Sequence, residues 1–248
     1  MRLRSLAVVA ALTAARATAQ PIETDRPDFT ESTSAVASGR LQVEAGTTLA
    51  REPGVGTVWS GPEALVRVGL GSGFEARIAL PDLVGTAPFT PEADRSLADA
   101  LVGFKVELGQ AAGVDAAVIV ELHLDASGLY GSSPQPSSGP SPRALFVVGR
   151  DVGPSFSVGG QGEASYDREA GRVLVGGTLV GGLGLGPRVG TFAEVAASAV
   201  PDGPLAAVLH HGYTVALTEA LQLDAHAGVG LTETAPDVFV GAGLGVRF

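Results

Sequence analysis

Apolar and polar residues alternate along this chain in stretches of about ten, and that rhythm restricts its fold more than any other feature. Between 97 and 108, Ala98, Ala100, Val102, Phe104, Val106 and Leu108 share one face of an extended chain. Asp99, Leu101, Gly103, Lys105 and Glu107 share the other. Successive side chains of a strand point to opposite faces, so a period of two reads as a half-apolar strand. The same scheme recurs at 221–231, where Leu221, Leu223, Ala225, Ala227, Val229 and Leu231 oppose Gln222, Asp224, His226 and two glycines. It recurs at 74–81, at 114–124 and at 237–248. Extending it gives about twelve strands, near 40–50, 58–70, 74–81, 97–108, 114–124, 142–149, 154–166, 172–183, 188–198, 205–217, 221–231 and 237–248. No stretch carries helical periodicity.

Strand length separates two architectures that alternate alike. A tilted strand needs roughly 9–11 residues to cross a bilayer, whereas strands in soluble sandwiches run nearer five or six. The segments here fit the longer class. Their connections alternate too: 71–73, 109–113, 150–152, 184–187 and 218–220 are tight, while 82–96 and the Ser/Pro/Gly-rich 125–141 are long. Short turns on one rim and long loops on the other suit an outer-membrane barrel. The expectation is an all-β fold, a single antiparallel up-and-down transmembrane β-barrel of about twelve strands with its apolar face toward lipid. A soluble barrel with the apolar face inward has the same periodicity and stays open as an alternative.

The start of the chain reads as an export leader. Arg2 and Arg4 precede the apolar run 6–15, and Ala17-Thr18-Ala19 supplies a small-x-small cleavage pattern. A cleaved signal peptide is therefore expected over 1–19, an N-terminal periplasmic or plug segment over 20–39, and the barrel over 40–248. Three of the 16 basic residues fall in the leader, so the remainder is more acidic than the overall net charge of −10. That balance excludes nucleic acid as a partner. Cysteine is absent, which removes disulfides and thiol chemistry.

Two stretches carry a family likeness. Pro21-Ile22-Glu23-Thr24-Asp25-Arg26-Pro27-Asp28-Phe29-Thr30-Glu31-Ser32 resembles the opening of exported proteins of the MetA-pathway of phenol degradation family, described as transporters. The stretch 230–241 (GLTETAPDVFVG), running on to Arg247-Phe248, resembles that family's closing strand, and Gln42-Val43-Glu44-Ala45-Gly46 its first. The resemblance implies an outer-membrane barrel concerned with uptake of small hydrophobic or aromatic compounds.

Candidate residues follow from the polar face. Glu44, Glu63, Arg67, Glu75, Arg77, Asp99, Lys105, Glu107, Asp115, Glu121, Glu163, Arg188, Glu194, Asp224 and Arg247 are expected in the lumen, as a charged conduit or as a paired network filling it. The motif Glu23, Thr24, Asp25, Arg26, Pro27 and Asp28 either folds into the barrel or trails as a tail. Leu244, Val246 and Phe248 form an aromatic-ended strand face of the kind a barrel-assembly machinery can grip. Trp59, Phe74, Tyr166, Phe192, Tyr213 and Phe248 offer a thin aromatic belt. Adjacent His210 and His211 put one imidazole on the lipid side unless a bulge intervenes.

No catalytic, cofactor or metal motif stands out. His123, His210, His211 and His226 have no nucleophile at a telling spacing, so no enzymatic activity and no cofactor are expected. The partners expected are outer-membrane lipids, the assembly machinery and small hydrophobic solutes. Passive transport competes with two other readings, a closed surface-interaction barrel and a secreted soluble barrel that binds an apolar ligand.

Overall fold

The computed structural model describes residues 22–87, 95–126, 139–168 and 171–248. The expected signal peptide, and 88–94 and 127–138 of the two long loops, lie outside the described residues. Fifteen strands follow one another: β1 (Leu41–Glu52), β2 (Gly56–Gly61), β3 (Leu65–Gly71), β4 (Phe74–Ala79), β5 (Leu83–Thr86), β6 (Arg95–Leu97), β7 (Ala100–Ala111), β8 (Val114–Leu124), β9 (Ser141–Asp151), β10 (Phe156–Asp167), β11 (Arg172–Gly184), β12 (Val189–Ala199), β13 (Leu205–Thr218), β14 (Leu221–Gly230) and β15 (Val238–Arg247). All pair antiparallel, and β15 returns to β1 in a ladder from Gln42↔Arg247 to Arg51↔Val238. The sheet closes into an up-and-down barrel with twelve strand positions, because three positions are each shared by two short strands.

That sharing departs from the continuous strands expected from the pattern. The first half of β1 pairs with β3 and its second half with β2. Likewise β4 and β5 form one broken strand, and β7 and β6 another. Proline explains two of the three breaks. Pro62 and Pro81 have no N–H to give to a ladder, so regular pairing stops beside them. The exposed backbone is still bonded, as lipid demands. Gly46 N donates to Pro62 O (2.7 Å), Leu80 N to Ala64 O (2.9 Å) and Ala98 N to Asp82 O (2.8 Å). The stretch 82–96, expected as one loop, thus contributes β5 and β6 to the wall.

Facing follows the alternation. In β7, Val102 and Phe104 look outward, Phe104 with 58% of its surface exposed, while Leu101, Gly103 and Lys105 look inward. Val240 is exposed to 48% and Leu179 to 74%, whereas Arg67, Glu75, Lys105 and Glu194 are buried. Apolar side chains thus face out and charged ones in, the arrangement of a membrane barrel rather than a soluble one. The doubly apolar run at 144–148 resolves in the same way. Leu145 and Val147 turn inward onto Ile119 as a small dry cluster, and Phe146 turns out.

Two aromatic and histidine expectations are settled by register. Phe192, expected in the outer belt, is buried inside, because its position on β12 carries it onto His210 (5.0 Å between ring centroids). The β13 ladder runs regularly past both histidines, its one irregularity lying at Ala216/Thr218. His210 is therefore inside and His211 outside, where its Nδ1 lies 2.6 Å from Phe192 O.

The facing supports a stability test. Val102→Arg should lower the unfolding free energy in lipid vesicles by about 2–4 kcal/mol if it meets the bilayer midplane. Ser165→Arg, which points into a polar cavity near the rim, should stay within about 1 kcal/mol. Equal losses at both sites would contradict the outward assignment.

Candidate functional site: the occupied lumen

The inward faces of β3, β4 and β7 carry two arginines and a lysine, and those charges need partners in a confined interior. Residues 22–40 supply them. This segment forms no strand and lies inside the ring, held at three places. At the first, Asp25 meets Arg77 Nη1 (2.6 Å), Lys105 Nζ (2.8 Å) and Arg67 Nη1 (3.2 Å). Arg67 also reaches Glu44 (2.9 Å) and Glu75 (2.9 Å), and Arg77 reaches Glu31 (2.8 Å) and Glu121 (3.3 Å). The wall's carboxylates in turn accept the segment's backbone. Glu44 Oε2 takes the N–H of Asp25 (2.9 Å) and of Arg26 (3.0 Å), and Glu75 Oε2 takes that of Val36 (2.8 Å).

At the second place, Arg26 bridges Glu63 (2.5 Å) and Asp224 (3.3 Å). Its guanidinium lies against two wall glycines. A Cβ on Gly46 would come within 2.2 Å of Nη2, and one on Gly243 within 2.4 Å of Nε. Only glycine admits the arginine there, which accounts for part of the glycine on the polar face of β1 and β15.

At the third, Glu194 of β12 gathers four donors. It accepts from Phe29 N (2.9 Å), Thr30 N (2.8 Å) and Thr30 Oγ1 (2.5 Å), and lies 3.0 Å from His210 Nδ1. Gln161 adds a bidentate grip, accepting from Glu31 N (3.0 Å) and donating to Phe29 O (3.2 Å). Phe29, Phe192 and Phe239 surround His210 with ring centroids at 4.6, 5.0 and 5.2 Å. His210 Nε2 meets His226 Nδ1 at 3.0 Å.

The segment divides the lumen in two. Toward the rim of longer loops lies a cavity of about 620 Å³, with Phe29, Ala50, Val58, Val208, His226 and Phe239 in its wall. Toward the rim of tight turns lies a polar cavity of about 660 Å³, lined by Glu23, Ser32, Glu107, Asp115 and Arg150 among others. Asp28 and Glu31 border both.

Of the residues expected in the lumen, Glu44, Arg67, Glu75, Arg77, Lys105, Glu121, Glu194 and Asp224 are buried. Glu63 pairs with Arg26, and Glu163 with Arg143. Glu107 sits at the inner rim, accepting from Ala35 N (2.5 Å), and Asp99 near the outer rim, bound to Arg168 (2.6 Å). Asp115 lines the inner cavity, within 3.1 Å of Gln110 Nε2. Arg188 falls in the turn between β11 and β12 and is exposed, while Arg247, at the end of β15 opposite the inward Gln42, lies at the mouth and donates to Glu219 O (3.1 Å). Within the N-terminal motif, Glu23 O accepts from Gln42 Nε2 (2.8 Å) and Thr24 Oγ1 from Gln222 Nε2 (2.5 Å), while Pro27 is buried. Gln42, Arg143, Gln161, Thr178 and Arg168 escaped the sequence reading. The first four occupy inward positions of the alternation, where an uncharged or unassigned residue gives no separate signal.

Burial sets opposite tendencies within the segment. Asp25 lies well below the ordinary carboxylate range, because Arg67, Lys105 and Arg77 outweigh the cost of burying its charge. Burial pushes Asp28 well up, with Glu194 adding to it. Burial also pushes Glu31 up to about 7 despite the nearby Arg77. A raised value favours docking of the segment fully below the ordinary range, and that benefit fades as pH rises through about 7. The Asp25 contribution has the other sign and is lost only at strongly acid pH. Conductance of the reconstituted barrel should therefore rise between about pH 4.5 and about pH 7 and level off above that. A flat or falling profile would refute this account of docking.

No protein-family model matches the chain, and no curated protein matches it in sequence. Solved structures match it in shape. The COG4313 outer membrane channel from Pseudomonas putida F1 superimposes with a TM-score of 0.67 at 11% identity, over 90% of this chain and 100% of that one. The NanC porin gives 0.59 at 8% identity, over 83% and 98%. The KdgM porin gives 0.59 at 9%, over 84% and 99%. At such identities the likeness is one of fold, a closed outer-membrane barrel.

Proposed function

We propose that the protein is a passive outer-membrane channel for small apolar solutes, closed at rest by its own residues 22–40. The observation that carries this reading is the division of one lumen into a more apolar outer cavity and a polar inner one by a segment held mainly through hydrogen bonds and ion pairs. Such contacts can be exchanged for water without unfolding the wall. The barrels of similar fold are channels and porins by name, and the likeness of 21–32 and 230–248 to the MetA-pathway family supports the same class and an apolar or aromatic cargo. We also read Leu244, Val246 and Phe248 as the strand face offered to the assembly machinery before β15 closes on β1.

The density of buried ion pairs favours a second reading, a barrel closed for good that acts through its loops. A reversible tether separates the two. Thr30 Oγ1 and Thr178 Oγ1 lie 2.5 Å apart across the junction of segment and wall, and the native chain has no cysteine. A disulfide fits where β-carbons come within about 4.5 Å. In the double variant Thr30→Cys/Thr178→Cys, oxidation should bring solute flux into liposomes down to the lipid background, and reduction should restore the parent's rate. Flux unaffected by the tether would reject the gate, and no flux in any state would reject the channel.

A further inference from the structure

We propose that His226 is the recognition group of a solute site in the outer cavity, selecting apolar molecules that bear a hydroxyl or another hydrogen-bond donor. The proposal deepens the channel reading and rests on it for its biological meaning, though binding itself can be measured without transport.

The argument begins at Glu194. Two of its four donors are backbone N–H groups and a third is the Thr30 hydroxyl, so the group acts as an acceptor toward all of them. His210 Nδ1, at 3.0 Å, therefore carries a hydrogen. His210 is wholly buried, and its Nε2 faces His226 Nδ1 at 3.0 Å. With both rings neutral, His210 Nε2 is the acceptor and His226 Nδ1 the donor. The chain carboxylate–imidazole–imidazole then fixes the last tautomer. His226 Nε2 is left as a bare lone pair.

That atom has no hydrogen-bond partner among the described residues, and its ring lines the outer cavity. Gly241 makes the position possible, since a Cβ there would fall 2.2 Å from Nε2. The nearby cation, Arg26, directs its Nη1 to Glu63 and its Nη2 to Asp224. Several polar groups of the cavity are engaged with other protein groups. Its one arginine, Arg143, is committed to Glu163 and Glu121. Gln161 gives one amide hydrogen to Phe29 O, and Thr178 bonds Thr30. Glu52 adds a further acceptor. The cavity is walled by Phe29 and Phe239, whose rings offer an apolar surface. An aromatic or short aliphatic alcohol can donate to His226 Nε2, and an ether or ketone of the same shape cannot.

The test compares benzyl alcohol with benzyl methyl ether on the full-length barrel in nanodiscs. Wild type should bind the alcohol about tenfold more tightly than the ether, the worth of one hydrogen bond. His226→Phe should bring the two within about twofold, while the heat-dependent gel shift shows that the barrel still closes. The nitrogen-15 resonance of His226 Nε2 should be of the unprotonated type without solute and should move with the alcohol alone. Equal binding by wild type, a preference that survives His226→Phe, or a protonated Nε2 at neutral pH would each overturn the proposal. Selective binding by a barrel that never conducts would remove the channel reading and leave this site standing. Flux without selectivity would do the reverse.

Discussion

Deleting residues 22–34 should turn a closed barrel into an open pore. The deletion joins the cavities of about 660 and 620 Å³ and leaves the wall strands, which begin at Leu41, untouched. The side chains so exposed are of both signs: Arg67, Arg77 and Lys105 beside Glu44, Glu75, Glu121 and Glu194. Water entering the lumen solvates them, so the loss of Asp25 need not unfold the barrel. Ion conductance in planar bilayers should rise at least about tenfold, because flux through a constricted pore falls steeply with radius and barrier height. The selectivity should turn weakly cationic, as carboxylates outnumber bases in that set. A deletion barrel that folds and remains closed would show that the wall itself blocks passage.

Arg67→Met should be the most damaging single substitution in the interior. Arg67 is the shared partner of Asp25, Glu44 and Glu75, all within 3.2 Å. Methionine fills much of the volume but leaves three buried carboxylates short of a counter-charge. Removing one member of such a buried set costs about 3–5 kcal/mol. Arg67→Lys should recover only part of this, since an ammonium cannot fork between three acids as a guanidinium does. The sign of the pH effect identifies the cause. Acid should partly rescue Arg67→Met by protonating the stranded carboxylates, whereas a mere packing defect would be indifferent to pH. Denaturant unfolding in lipid vesicles at two pH values measures both effects.

Much of this architecture is visible in the order of residues. The alternation through Val102, Phe104, Val238 and Val240 assigns strands and faces without any long-range information, because a period of two is a property of the chain alone. The charged interior follows from the same positions. Continuity of the strands was less legible. Pro62 sits within an alternating run and Pro81 at the end of one, and the cost of a missing N–H depends on what lies alongside. The fate of Glu23 to Ser32 was not legible either, since a tail and a lumen segment have the same composition. What decides it is the meeting of Arg26 with Asp224 and of Thr30 with Glu194, each more than 160 residues apart in sequence. Likewise, the histidines read as isolated until register puts His210 opposite Glu194 and brings His226 to its side.

The route of residues 22–40 has a consequence for when the lumen can be cleared. Ile22 N donates to Glu219 O in the turn between β13 and β14, and Gly39 N to Gly69 O near the turn between β3 and β4. Both turns belong to the same mouth, so the segment is a bight dipped into the tube, not a thread drawn through it. Such a route would let the segment leave without breaking a rung of the wall. If the barrel is the gated channel proposed above, a force applied to the chain where it enters would draw the segment back out of that mouth.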